Sequence, residues 1–87
     1  MTKRTIYSRE YELLLEMLRE VRQRRGFTQE EMAKRLSTTQ SAFSKSERGE
    51  VRLDMVQVRD RCHAMGVSFA RFAADFDRRA GVPSGIK

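Results

Sequence analysis

Residues 26–49 read GFTQEEMAKRLSTTQSAFSKSERG, two short stretches of helical patterning joined by a polar break of three residues, Ser37, Thr38 and Thr39. Thr28 is placed to cap the first stretch, because its hydroxyl can take up an amide of the first turn, and Glu31 stands at the capping-box position three residues on. This helix runs to about Leu36. The hydroxyls of the break compete with helical hydrogen bonding and favour a turn. Thr39 caps a second helix that starts at Gln40, and Gly49 is placed to end it in a left-handed cap.

Outward from this stretch, apolar residues recur at helical spacing, and no strand-like alternation of any length appears. Tyr11, Leu14, Leu15, Leu18 and Val21 form the stripe of a helix from about Ser8 to Arg25, which Gly26 ends. Met32, Ala33 and Leu36 give the inward face of the next helix, and Phe43 is the main apolar anchor of the one after it. Leu53, Val56, Cys62 and Met65 mark a further helix, capped near Asp54 and ended by Gly66. Ser68 caps the last, with Phe69, Phe72, Ala73 and Phe76 on one face. The expectation is an all-α, compact five-helix domain over residues 8–79, with a short basic arm at 1–7 and a flexible tail at 80–87. A chain of 87 residues suits one small domain with little room for a ligand pocket.

The pair of helices at about 28–49 has the outline of a helix-turn-helix, and its residues resemble the phage repressor and Cro type, the family also named after the xenobiotic response element (XRE). The resemblance rests on Gly26-Phe27-Thr28-Gln29-Glu30-Glu31, Met32-Ala33, Leu36, Thr39-Gln40-Ser41, Ser44-Lys45 and Glu47-Arg48-Gly49. Leu18-Arg19-Glu20-Val21-Arg22 precedes them, and Arg52-Leu53-Asp54 and Met65-Gly66-Val67-Ser68 follow, so that residues 11–77 are covered. It implies a charged pair, Arg22 with Glu47, linking the first helix to the end of the third, and a homodimer on a two-fold DNA operator. Three positions depart from the family pattern: Ser46 stands where a bulky apolar residue is usual, and Arg59 and Arg61 where Leu and Ile are common. They thin the expected core. Either the large Phe43 and the phenylalanine stripe of the last helix make up the loss, or the fourth helix is rotated or faces a partner.

Groove geometry supplies the chemistry. A short helix enters the major groove of B-DNA with its N-terminal residues nearest the base edges, while the helix before it lies across the backbone. Gln40, Ser41, Ser44 and Lys45 fall on or near that leading face. Glutamine donates and accepts at once, which matches adenine, so Gln40 is the first choice for base reading; Lys45 suits guanine or a phosphate. Thr28 and Gln29 at the start of the second helix, Thr38 and Thr39 in the turn, and Arg25, Arg48 and Arg52 are candidates for backbone contact, which sets register without reading sequence. One short helix reads few base pairs, a physical reason to expect pairing of two copies. The last helix and the arginine-bearing fourth are the candidate interfaces.

Composition agrees. The formal net charge is +6 and the pI near 10.2, which draws the protein to a polyanion. No run approaches the ~20 apolar residues of a spanning helix, and no basic helix carries a long apolar face, so nucleic acid is preferred over a membrane. No apolar signal core follows Lys3-Arg4, and the one cysteine forms no internal disulfide; a cytoplasmic protein is expected. Cys62 and His63 are helix neighbours pointing about 100° apart, and are read as core and surface. Glu30-Glu31 is read as a first turn favoured by the helix dipole. With one His, one Cys and no phosphate-binding glycine loop, neither an enzyme nor a cofactor or metal is expected. The reading is a small transcriptional regulator, a repressor, that binds double-stranded DNA sequence-specifically. An antitoxin or restriction-control regulator remains open, as does a protein-interaction module of the same fold that does not read DNA.

Overall fold

The computed structural model describes residues 8–82, so the arm at 1–7 and positions 83–87 of the expected tail lie outside the described residues. Five helices follow one another: α1 (Arg9–Arg24), α2 (Gln29–Arg35), α3 (Gln40–Glu47), α4 (Met55–Ala64) and α5 (Phe69–Ala80). Among the described residues there is no strand. Every helix opens on a side-chain cap that accepts the amide three residues on: Ser8 from Tyr11, Thr28 from Glu31, Thr39 from Ala42, Asp54 from Gln57 and Ser68 from Arg71. At α2 the box is reciprocal, since the Thr28 amide donates to Glu31 Oε1 at 2.8 Å. That bond holds the Glu31 carboxyl below its usual range.

Helix ends explain the short turns. After α3 the chain reverses at Gly49 (φ 84°), and the Glu50 amide donates back to the Lys45 carbonyl at 2.9 Å. After α2 the same reversal is made by Ser37 (φ 57°), with the Thr38 amide donating to the Ala33 carbonyl at 2.9 Å. A side chain in this left-handed region costs on the order of 1 kcal/mol. The hydroxyl-rich break thus closes by a helix-end motif that usually carries glycine.

The core draws on all five helices: Met17, Leu18 and Val21 from α1, Met32 and Ala33 from α2, Phe43 from α3, Val58 and Cys62 from α4, and Phe72 from α5, with Met65 between the last two. Met32 and Cys62 are fully buried. Phe69 and Phe76 pack against this cluster while half-buried, and His63 is exposed, as expected. The fourth stripe needs correction: Val56 is 65% exposed, and Val58 takes the inward place. Val56 lies two residues before Val58, about 200° around the helix from it. α2 packs on α3 and α4, and α5 on α1 and α4. The loop after α3 is tied to α1 where the Leu53 amide donates to the Tyr11 hydroxyl at 2.9 Å.

Candidate nucleic-acid interface

α3 is held from α1 by arginines. Glu47, the last residue of α3, is 7% exposed and accepts three side-chain hydrogen bonds. Arg22 gives two of them in the forked geometry that guanidinium and carboxylate share, Nε to Oε2 at 2.6 Å and Nη2 to Oε1 at 3.2 Å. Its remaining Nη1 donates to the Phe27 carbonyl at 2.9 Å, and Arg19 Nη2 donates to the Glu47 carbonyl at 3.1 Å. The expected pair between Arg22 and Glu47 is therefore present and nearly buried.

The same carboxylate starts a chain of hydrogen bonds that ends in solvent. Gln29 Nε2 donates to Glu47 Oε1 at 2.9 Å, and Gln40 Nε2 donates to Gln29 Oε1 at 3.2 Å. Gln40 is exposed as the first residue of α3. Its amide spends one N–H on Gln29 and keeps another N–H and Oε1, the pair that an adenine edge requires. Around it, Ser41 and Lys45 are exposed and Ser44 is half-buried. Ser44 Oγ accepts from Arg48 Nη1 at 2.6 Å, while Arg48 Nε donates to Glu50 Oε2 at 2.8 Å. Glu50 holds the Arg48 guanidinium firmly charged.

The other candidates are placed as follows. Thr28 and Thr39 are exposed and engaged as caps, and Thr38 is exposed in the turn between α2 and α3. Arg52 lies after α3, its guanidinium carbon 4.3 Å from the Tyr11 ring centroid. The Arg25 guanidinium reaches the turn between α4 and α5, against Gly66. Glu50, Arg19 and Tyr11 join this region beyond the residues that the sequence motif indicates. The offset of two between Arg48 and Glu50 was a readable signal for the first, whereas the long-range contacts of Arg19 and Tyr11 had none.

The three departures from the family pattern also find their places. Ser46 is 4% exposed and faces Arg61, which reaches in from α4, while Arg59 is exposed. The Cys62 thiol is pushed up to about 11 by burial, the state of an inert core sulfhydryl. Among the described residues no His, Cys, Asp and Glu side chains gather as a metal site, and no helix is long and apolar enough to cross a membrane.

Comparison with known proteins agrees with this geometry. A family model described as a helix-turn-helix domain matches residues 13–82. Among solved structures the chain is similar to an XRE-family like protein from Pseudomonas syringae pv. tomato, at 35% identity and a TM-score of 0.81, over 90% of this chain and 95% of that one. A search of curated proteins found no match. The family match takes in both helices of the motif and nearly all of the core that supports them. The chain belongs to the XRE-type helix-turn-helix family, with the fold of a DNA-binding regulator.

Proposed function

We propose that the protein binds double-stranded DNA sequence-specifically and acts as a transcriptional repressor by occluding a promoter, with α3 in the major groove. The hydrogen-bonded pair of Gln29 and Gln40 carries this reading. It orients the Gln40 amide at the exposed start of α3 with its adenine-matching edge unused. On this reading Ser41, Ser44 and Lys45 extend the base-facing surface, and Thr28, Gln29, Thr38, Thr39, Arg25, Arg48 and Arg52 contact phosphates. The function calls for no cofactor and suits a cytoplasmic protein.

We further read the protein as a homodimer on a two-fold operator. Met55 and Val56, at the start of α4, are 73% and 65% exposed, and Val51 in the preceding loop is 51% exposed. Exposed Arg59 lies one turn beyond Met55 on the same helix. A dimer through this patch would present two copies of α3 to an operator whose half-sites, in helix-turn-helix dimers, lie about one turn of DNA apart, roughly 34 Å.

Selection of bound sequences from a random DNA pool tests this directly. A two-fold consensus should emerge, and affinity for it should fall steeply as salt rises. Gln40→Ala with Lys45→Ala should abolish the preference and leave weak, salt-sensitive binding. A flat salt response, or unchanged selection by the double variant, would assign the fold to protein interaction instead.

A further inference from the structure

A charged side chain sits directly behind the base-reading helix, in a place where packing alone calls for an apolar one. Arg61 reaches from α4 and donates from Nη2 to Ser46 Oγ at 2.7 Å. Ser46 Oγ in turn donates to the Phe43 carbonyl, also at 2.7 Å. The guanidinium carbon lies 5.0 Å from the Phe43 ring centroid, within range of a cation–π contact. Burial opposes the charge of Arg61, and the nearby Glu47 carboxylate supports it. The remaining space is a cavity of about 10 Å³ whose walls include Phe43, Ser46, Glu47 and Arg61, too small for any ligand beyond one water. Arg61 therefore fills the volume that a small residue at 46 leaves open.

What the guanidinium adds over a leucine is direction. Apolar packing tolerates small rotations, whereas a short hydrogen bond and a ring contact, made at positions 43 and 46 of one helical face, fix the helix about its own axis. A side-chain tip rides about 6 Å from a helix axis, so a turn of roughly 20° moves it about 2 Å. That displacement exceeds what a hydrogen bond to a base edge allows. From α1, Arg22 and Arg19 hold Glu47; from α4, Arg61 holds Ser46 and Phe43. We propose that Arg61 is a positioning residue for DNA reading, which through Ser46 and Phe43 sets the angle at which α3 presents Gln40 and Lys45 to the bases. The proposal rests on α3 being the reading helix.

The test compares wild type with Arg61→Met, Ser46→Ala, the double variant and Arg61→Lys. Three quantities are measured: amide hydrogen exchange along α3 in the free protein, preference for the selected operator over scrambled DNA, and the salt dependence of binding. Arg61→Met should speed exchange in α3 relative to α1 and α5, and lower the preference about tenfold, the scale of one charged hydrogen bond. The salt slope should stay unchanged, because a guanidinium turned into the core neutralises no phosphate. The double variant should be no worse than Arg61→Met, and lysine, which lacks the planar fork, should restore only part. Ser46→Ala keeps the guanidinium and removes its anchor, so it decides the matter if Arg61→Met does not fold. A fall in melting temperature with α3 exchange and preference unchanged would reduce Arg61 to packing. A salt slope lowered by about one in Arg61→Met alone would make it a phosphate contact instead. Should wild type show no sequence preference, the DNA reading fails, and α3 exchange by itself decides whether Arg61 positions the helix.

Discussion

On the outer face of α3, Gln40, Ser41 and Lys45 stand in solvent; on its inner face Ser46 and Glu47 are equally polar by type, yet only 4% and 7% exposed. The inner pair is fully engaged, Glu47 by Arg22 and Gln29 and Ser46 by Arg61 and the Phe43 carbonyl. The outer side chains make fewer bonds within the chain, and the Lys45 side chain makes no hydrogen bond or ion pair among the described residues. Residue type therefore says little about which face does which work. Burial and partners separate a face that orients the helix from a face available to DNA.

Glu47→Ala is the strongest way to break this contrast. It strands the Arg22 side chain, 12% exposed, with only the Phe27 carbonyl to accept from it. Removing one partner of a buried ion pair costs about 3 kcal/mol or more. Glu31→Ala, which removes half of an exposed capping box, should cost clearly less. Urea denaturation of both variants makes the comparison, and equal losses would show that the inner face carries no special stability. The loss is large against the 5–15 kcal/mol that holds a typical domain together.

The inner and outer faces were not equally legible in the sequence. Four N-caps, Thr28, Thr39, Asp54 and Ser68, follow from Ser, Thr or Asp before an apolar pattern, because a cap is a local bargain between a side chain and an amide three residues away, whereas Ser8, expected as the first residue of its helix, is the cap of α1. Gln40 was legible for the same reason, as the first position of a capped helix. Val56 was misplaced because α4 is short and mostly polar; with only Val58, Cys62 and the following Met65 buried, a stripe has little to define its phase. Ser46 and Arg61 stood out as departures, but their pairing joins residues 15 apart on different helices. No periodicity encodes that contact. The hydroxyl of Ser37 marks it as a turn residue, yet its left-handed conformation follows from the helix-end hydrogen bonds around it.

Gln29 touches both faces, accepting from Gln40 and donating to Glu47, and its removal sharpens the comparison. Gln29→Ala leaves the two bonds between Arg22 and Glu47 in place and removes one hydrogen bond to a carboxylate and one exposed bond between amides, so the stability loss should be about 2 kcal/mol, below that of Glu47→Ala. Operator affinity should fall as well, since the Gln40 amide loses the partner that orients it. A stability loss equal to that of Glu47→Ala would mean that Gln29, and not the ion pair, is the main support of Glu47. An unchanged affinity would mean that Gln40 finds its base edge without being oriented.

The smallest expected effect lies on the outer face, at Arg48 and Glu50. Their ion pair is about half exposed on both sides, where solvent screens such pairs and they contribute little to stability. Glu50→Gln should therefore leave the denaturation midpoint nearly unchanged. In DNA binding the same substitution weakens the acceptor that competes for the Arg48 guanidinium, by removing its charge, and with it a negative charge that phosphate would repel. Arg48 would then be available to neutralise one more phosphate. The slope of log affinity against log salt should steepen by up to about 0.9, the value for one additional contact. Binding should tighten more for non-specific DNA, relative to wild type, than the sequence preference changes, since a phosphate contact carries no base information. A slope that stays constant would place Arg48 outside the backbone contacts and confine the outer face to Gln40, Ser41, Ser44 and Lys45.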